Sequence, residues 1–233
     1  MYNIYMRIAV IGTACVGKST FINDFLTNWS SYKKPEKSYR DIITEKKLNH
    51  SQQTSKDTQQ QILDFMLEQH MQYNRQDNVI FDRCPIDNLV YSIHAFDKGK
   101  TDIDEKFIEQ CIPMVKECMR FVDLIFYIPK SADITIVDDG FRDTDETFIT
   151  EIDNMFKQVE AYSHQDGSIF FHIDDKPAVI SISGEPRERI RQASLYVRED
   201  GDAYTEEDCD IDWDELSKFG IQPTDVFPNG QLK

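Results

Sequence analysis

Short apolar runs alternate along the chain with segments in which apolar residues recur every three or four positions. The runs are typical of buried strands and occupy residues 6–11, 78–81, 121–128, 169–173 and 179–183. The intervening spacing predicts amphipathic helices over residues 18–29, 58–73, 85–96, 106–119, 145–162 and 185–196, the fourth of which kinks or restarts at Pro113. This alternation predicts an α/β fold, a three-layer, doubly wound and mostly parallel sheet that binds ligands at the carboxyl ends of its strands.

The composition fits one folded domain with an acidic extension. Of the 233 residues, 40% are hydrophobic and 12% aromatic, which is enough to form a core. The net charge of −16 disfavours non-specific coating of nucleic acid. Eleven acidic residues and two lysines after residue 198 carry −9 of that charge. We therefore expect a domain over residues 1–198 and an extension over 199–233 that either docks through a short helix or is largely unfolded.

Several other protein classes find no support in the sequence. No apolar run approaches the roughly 20 residues of a membrane-spanning helix, and residues 1–10 do not resemble a signal peptide. The five cysteines are widely spaced and form no zinc-binding motif. We expect a cytoplasmic protein with reduced cysteines and no membrane partner. Its oligomeric state stays open, with a homodimer among the options.

A phosphate-binding loop follows the first predicted strand. Residues 12–19, GTACVGKS, match G-x-x-x-x-G-K-[ST] between a strand and a helix. In such a loop, backbone N–H groups and the helix N-terminus form an anion-binding nest, the lysine bridges the β- and γ-phosphates, and the hydroxyl binds Mg²⁺. We therefore assign Mg²⁺ to Ser19 and triphosphate contacts to Gly12, Thr13, Ala14, Cys15, Val16, Gly17, Lys18, Ser19 and Thr20.

The second predicted strand ends in an acid followed by a basic residue, Asp82 and Arg83. In a parallel sheet this strand end lies beside the phosphate loop. Asp82 is a candidate for the Mg²⁺ shell or for orienting a hydroxyl, and Arg83 for contacting the transferred phosphoryl group or the acceptor. Alternatively, Asp82 caps the helix that starts near Pro85, and Arg83 pairs with a surface acid.

A polar segment with a glycine, residues 138–143 (DDGFRD), follows the third predicted strand. We expect a lid around residues 131–147, with Arg142 closing on the phosphates during transfer. A solvated loop in which Arg142 pairs with Asp139 or Asp143 is the alternative.

Residues 30–60 have a local charge of +3 and lead from the first helix towards the acceptor side. Glu36 is a candidate base that takes a proton from an attacking hydroxyl, and Lys37 and Arg40 are candidates for holding an anionic acceptor. A charged surface turn around Pro35 explains the same residues. Polar residues near the start of the next helix are candidates for reading a base edge, although exposed helix faces are also polar: Asp57, Gln59 and Gln60.

Together these motifs resemble those of a known enzyme group. GTACVGKS, VIFDRCP and DDGFRDTD are similar to phosphate-loop kinases of the nucleoside, thymidylate and nicotinamide riboside kinase type, above all to AAA-type phosphate-loop ATPases and kinases of bacteriophages. The likeness covers about residues 4–196. It implies ATP, Mg²⁺ and γ-phosphoryl transfer to a nucleoside- or nucleotide-like acceptor, in the host cytoplasm if the protein is phage-encoded. By motif, it implies phosphate and Mg²⁺ contacts at Lys18 and Ser19, a catalytic strand end at Asp82 and Arg83, and a lid arginine at Arg142.

Two further functions stay open. Some phage members of this group resemble kinases of 5-hydroxymethyluracil within DNA, which the basic residues 30–60 favour and the overall acidity disfavours. Such an enzyme also needs access to a flipped base. The other alternative is an ATP-hydrolysing switch that has no phosphoryl acceptor.

Overall fold

A parallel four-stranded sheet positions the site residues. The computed structural model describes residues 5–49, 51–131, 144–163, 165, 167–204 and 218. The sheet order is β2-β1-β3-β4, so the residues after β1 emerge between the ends of β2 and β3. The strands are β1 (Arg7–Ile11), β2 (Val79–Asp82), β3 (Leu124–Tyr127) and β4 (Ala178–Ser181).

Helices cover both faces of this sheet, which confirms the predicted three-layer, doubly wound α/β architecture. The helices are α1 (Lys18–Asn28), α2 (Tyr39–Lys46), α3 (Lys56–Met71), α4 (Pro85–Lys98), α5 (Glu105–Cys118), α6 (Glu146–Ser163) and α7 (Pro186–Ala193). Helices α1 and α7 pack on one face, and α3 to α6 pack on the other. The alternation of side chains along β1 separates the two cores, because Ile8 and Val10 face α1 while Ala9 and Ile11 face the opposite layer.

Three local expectations differ from the structure. Residues 169–173 do not form a strand: the segment contains bends, although Phe170 and Phe171 are both buried. Helix α5 continues through Pro113 without a restart. Helix α2 was not expected, and it starts at a capping box in which Asp41 accepts hydrogen bonds from the Ser38 N–H and hydroxyl.

The chain beyond α7 folds back onto the end of α1. We call residues 198–204 the C-terminal strap. The indole N–H of Trp29 donates to the Arg198 carbonyl at 2.7 Å, and the Tyr32 hydroxyl donates to the Gly201 carbonyl at 2.8 Å. The first six residues of the acidic extension therefore pack on the domain, while the remainder, Lys218 aside, lies outside the described residues. Among the helices described, none has the length and hydropathy needed to cross a membrane.

Candidate phosphoryl-transfer site

The phosphate loop lies between β1 and α1 and depends on two glycines. Gly12 has φ +141°, and a Cβ there would lie 2.5 Å from the Ile128 carbonyl oxygen, so the close approach to β3 admits only glycine. Gly17 has φ +86° and is the N-cap of α1, where no side chain caps the helix. The first turn of α1 contains no acidic residue. Its N-terminal amides are thus suited to bind an anion.

Lys18 is buried at the centre of this loop. Its ammonium donates to the Gly12 carbonyl at 2.8 Å and to the Thr13 carbonyl. Burial, and then the positive charge of Arg83, lower the pKa of Lys18 to about 7, while the charge of Asp82 acts in the opposite direction. An anion bound in the loop would stabilise the charged ammonium.

Arg83 is held over the loop from the end of β2. Its φ of +78° is strained for a residue with a side chain, as is common at functional sites. The guanidinium lies between the rings of Tyr39 and Tyr91, 5.0 and 5.2 Å from their centroids. Its Nη1 donates to the Asp87 carboxylate at 2.6 Å. Burial lowers the pKa of Arg83, but the neighbouring tyrosines and carboxylates outweigh it and raise the pKa well above its ordinary value.

The alternatives for Asp82 and Arg83 do not match these contacts. Asp87, not Asp82, caps α4 by accepting from the Cys84 N–H at 3.1 Å. Arg83 pairs with this buried acid and not with one at the surface. Asp82 is half-buried and its charge reaches Lys18. Both members of the predicted pair therefore lie at the phosphate loop.

Asp82 and Ser19 line one groove together with Glu36, Lys37 and Arg40. The Lys37 ammonium is engaged with Glu45 on α2 at 2.9 Å. A hydroxyl and a carboxylate are oxygen donors of the kind Mg²⁺ prefers. In the part of the chain that the structure describes, no cluster of three or more His, Cys, Asp or Glu side chains could hold a metal. Ser19 and Asp82 fit a Mg²⁺ ion that is bound jointly by protein and phosphate oxygens, which is how proteins usually bind Mg²⁺ beside a nucleotide.

The phosphate loop and Arg83 also line an open pocket. Its wall includes three aromatic rings and two amides, from Tyr39, Tyr91, Phe148, Gln59 and Asn88. The Asn88 amide donates to the Gln59 backbone carbonyl at 3.0 Å and to its side-chain oxygen at 2.6 Å. Within the described residues, the buried Asn88 Oδ1 and Arg83 Nε have no hydrogen-bond partner. Asn88 and Arg83 both line the pocket, so its wall contains polar groups whose hydrogen-bonding capacity is not fully used by the described residues.

Only one of the three candidates for base reading faces this pocket. Gln59 is buried there, whereas the Gln60 side chain donates to Asp64 and Asp57 accepts from Gln61 on the exposed side of α3. The lining residues that sequence reasoning missed include Tyr39, Asp87, Asn88, Tyr91 and Phe148. The available signal for Asn88 and Tyr91 was their position one and two turns into the helix that follows Arg83.

Arg142 and the acidic residues beside it lie outside the described residues, so the lid stays a prediction. The segments that flank it are well anchored. The Lys130 backbone N–H donates to the buried Asp153 carboxylate at 2.8 Å. Asp145 accepts from the backbone N–H groups of Thr147 and Phe148 at the start of α6.

The basic residues 30–60 are partly neutralised in the fold. Three of their lysines pair with acids, and two of these acids, Asp77 and Asp104, come from outside the segment. The surface is therefore less positive there than the sequence count of +3 suggests. This weakens the argument for a groove that receives a nucleic-acid strand.

A family model described as an AAA domain matches residues 7–165, the span that holds Lys18, Arg83 and Asn88. The chain belongs to the AAA domain family. No curated protein matches its sequence.

Solved structures share the fold of this AAA domain at low identity. NadR in complex with NR is 17% identical with a TM-score of 0.59, over 83% of this chain and 52% of that one. Deoxyadenosine kinase from M. mycoides, with the products dCMP and a flexible dCDP bound, is 14% identical with a TM-score of 0.57, over 82% and 97%. Thymidylate kinase from Candida albicans is 13% identical with a TM-score of 0.52, over 84% and 92%. The AAA domain thus has the fold of phosphate-loop nucleoside and nucleotide kinases, and it spans about half of the NadR chain.

Proposed function

We propose that the protein is an ATP- and Mg²⁺-dependent kinase that transfers the γ-phosphoryl group to a hydroxyl or phosphate of a nucleoside- or nucleotide-like acceptor. One observation carries this proposal: the phosphate loop and Arg83 line one pocket together with aromatic side chains and buried amides. An ATP-hydrolysing switch needs the loop but has no use for such a pocket. The structural neighbours that bind NR, dCMP or dCDP support the same class of acceptor.

The triphosphate donor would bind across the loop. The amides at the start of α1 and the Lys18 ammonium contact its phosphates, with further contacts along residues 12–20. Ser19 and Asp82 would hold Mg²⁺, which when bound neutralises charge on the phosphate oxygens. A second groove lies on the far side of the loop, between Val16 and the residues Gly184 to Arg189, and has room for the donor nucleoside.

The acceptor would bind in the aromatic pocket. A planar base stacks against Tyr39, Tyr91 or Phe148, because π-faces gain both burial and stacking energy there. The Asn88 Oδ1 accepts a hydrogen bond from an N–H or O–H of the acceptor. Arg83 lines this pocket together with the loop, where it stabilises the charge that develops on the phosphoryl group.

Transfer then needs a base on the acceptor side. An acceptor oxygen bonds to the γ-phosphorus, the bond from that phosphorus to the β–γ bridging oxygen breaks, and ADP leaves. When the acceptor is a hydroxyl, its proton passes to a carboxylate. Glu36 lies in the groove with Ser19 and Asp82 and is the candidate base. Arg40 borders both this groove and the pocket, where it would hold an anionic acceptor, and Arg142 would close on the phosphates from the lid.

A single transfer assay tests the proposal. Labelled γ-phosphate ATP is offered with free nucleosides, free nucleotides, nicotinamide riboside, and DNA with and without 5-hydroxymethyluracil. We expect label in a small acceptor, Mg²⁺ dependence, and loss of transfer in Lys18→Ala. Label in DNA alone would favour the DNA-modifying alternative. Fast ATP hydrolysis without any labelled acceptor would favour the switch and contradict both kinase hypotheses.

A further inference from the structure

Arg189 on α7 joins two loops that belong to different strands. Its Nη1 donates to the Val16 carbonyl in the phosphate loop at 2.8 Å, and its Nε donates to the Gly184 carbonyl after β4 at 2.8 Å. The side chain is only 7% exposed. One rigid guanidinium therefore fixes the distance between the phosphate loop and the loop that follows β4.

The bond to Val16 also orients the peptide unit that opens α1. The C=O and N–H of a trans peptide point in opposite directions. With the Val16 oxygen held against α7, the Gly17 N–H must point away from α7. That N–H belongs to the N-cap residue of α1, where amides are available to an anion. Arg189 thus acts on one of the donors that a phosphate group uses.

Gly17 and Arg189 fit each other closely. A Cβ at Gly17 would lie 2.9 Å from the Arg189 Nη1, so the guanidinium occupies the space that a side chain at position 17 would take. The guanidinium stays protonated, although burial lowers the pKa of Arg189 with only Glu185 in opposition. Its buried positive charge lies directly behind the phosphate loop.

We propose that Arg189 is a positioning residue that clamps the phosphate loop in its anion-binding conformation and thereby sets the affinity for the phosphates of the donor. The proposal rests on the phosphate loop and not on the identity of the acceptor. Lysine at this position keeps the charge but cannot bridge two carbonyls in fixed geometry. The Arg189→Lys variant therefore separates the clamp from simple electrostatics.

The test measures binding of ADP and of pyrophosphate to the full chain by calorimetry. Two lost hydrogen bonds from a charged group predict a weakening of about 10- to 100-fold for both ligands in Arg189→Lys and Arg189→Met. Arg191→Met is the matched control, because Arg191 is exposed on the same helix and pairs with Glu188; its affinities should match wild type. Wild-type affinity in Arg189→Lys would overturn the clamp, since charge alone would then suffice.

Hydrogen exchange keeps the proposal testable if Arg189→Met does not fold. In Arg189→Lys, faster exchange confined to the amides of residues 12–18 supports the clamp, and exchange equally fast in α4 and α5 contradicts it by indicating general destabilisation. If wild type binds ADP but transfers phosphate to no acceptor, the proposed kinase activity fails while the clamp is still tested. If wild type binds neither ADP nor pyrophosphate, both proposals are wrong.

Discussion

The guanidinium of Arg83 lies 2.6 Å from the carboxylate of Asp87, and both side chains are buried. The same carboxylate accepts the Cys84 N–H and so caps α4. The start of α4 and the direction of Arg83 are therefore set by one side chain. Arg83 faces the phosphate loop because Asp87 holds it there.

Removing this acid should destabilise the protein strongly. Asp87→Ala leaves a buried guanidinium without its counter-ion, which costs about 3–5 kcal/mol in unfolding free energy. Denaturant titration measures this loss. Asp97→Ala is the control, because Asp97 is exposed on the same helix; its unfolding free energy should lie within about 0.5 kcal/mol of wild type. In Asp87→Asn, which keeps the shape, we expect a folded protein whose turnover falls about 100-fold because Arg83 loses its fixed position. Unchanged stability in Asp87→Ala would show that the ion pair does not hold Arg83.

Binding of the donor should take up a proton at Lys18. The pKa of Lys18 is lowered to about 7 by burial and by Arg83, and a bound phosphate raises it again by supplying negative charge. Above pH 7 the affinity for ADP should therefore fall as pH rises, whereas below pH 7 the lysine is already charged and contributes no pH dependence. Calorimetry at about pH 8 in buffers of different ionisation enthalpy measures the proton uptake. Lys18→Met should abolish it, and uptake that persists in this variant would assign the proton to another group.

The location of two parts of the site could be predicted from sequence because each consists of consecutive residues. The phosphate loop and the pair Asp82–Arg83 each follow a strand directly, and parallel strands bring their carboxyl ends together. The pair Gln59–Asn88 was not accessible, since its members are 29 positions apart and each is an ordinary polar residue on a helix. The parallel arrangement predicts where the strand ends lie. It does not predict how α3 and α4 are rotated about their axes, and that rotation decides whether Gln59 and Asn88 meet.

The prediction of secondary structure was wrong where tertiary packing overrode the local sequence pattern. Residues 169–173 have the apolar composition of a strand, but Phe170 and Phe171 both pack into the core on the α3–α6 side from an irregular, bent segment. Helix α2 has only two buried apolar residues, Ile42 and Ile43, which is too short a pattern to show helical spacing. Its capping box was the better signal.

Asn88 should control binding of the acceptor and not of the donor. Asn88 lines the aromatic pocket, and its buried Oδ1 has no partner among the described residues. Asn88→Ala should raise the KM for the acceptor about tenfold or more and leave the KM for ATP unchanged, because a directed hydrogen bond is lost only on the acceptor side. Steady-state kinetics with each substrate varied checks this split. Gln60→Ala is the control, and equal effects on both KM values would contradict the assignment of the pocket.

Buried His70 should make the protein less stable in acid. Its ring stacks on Phe81 at 3.9 Å, and burial lowers its pKa to about 4 from the ordinary 6.5. The unfolded chain therefore binds this proton more readily, so the unfolding free energy falls as pH drops from about 6.5 to 4, by on the order of 3 kcal/mol. His70→Phe removes the titration and should flatten the denaturant-midpoint profile in that window. A profile as steep as wild type would assign the acid sensitivity to other groups.

The C-terminal strap should act as part of the catalytic domain. Gly201 has φ +93°, and a Cβ there would lie 2.3 Å from the Ser31 Oγ and 3.2 Å from the Tyr32 ring. The chain after Tyr32 pairs with β2 through the Lys33 N–H and carbonyl and then enters the groove at Glu36. The strap thus supports the segment that leads to Glu36, the candidate base, and to Arg40, which lines the aromatic pocket.

Gly201→Ala should therefore lower both stability and acceptor binding. The unfavourable φ and the clash together predict a loss of about 1–3 kcal/mol in unfolding free energy. Gly99→Ala is the matched control: Gly99 also has positive φ, +61°, but a Cβ there meets nothing within 4 Å. A chain that ends after Tyr204 keeps all described contacts of the strap, whereas one that ends after Val197 loses them. If the shorter chain matches the longer one in thermal midpoint and acceptor KM, the strap has no structural part in the site. If only the shorter chain has a lower thermal midpoint or a higher acceptor KM, the domain extends beyond residue 198. The acidic residues after Tyr204 are then not needed for either property.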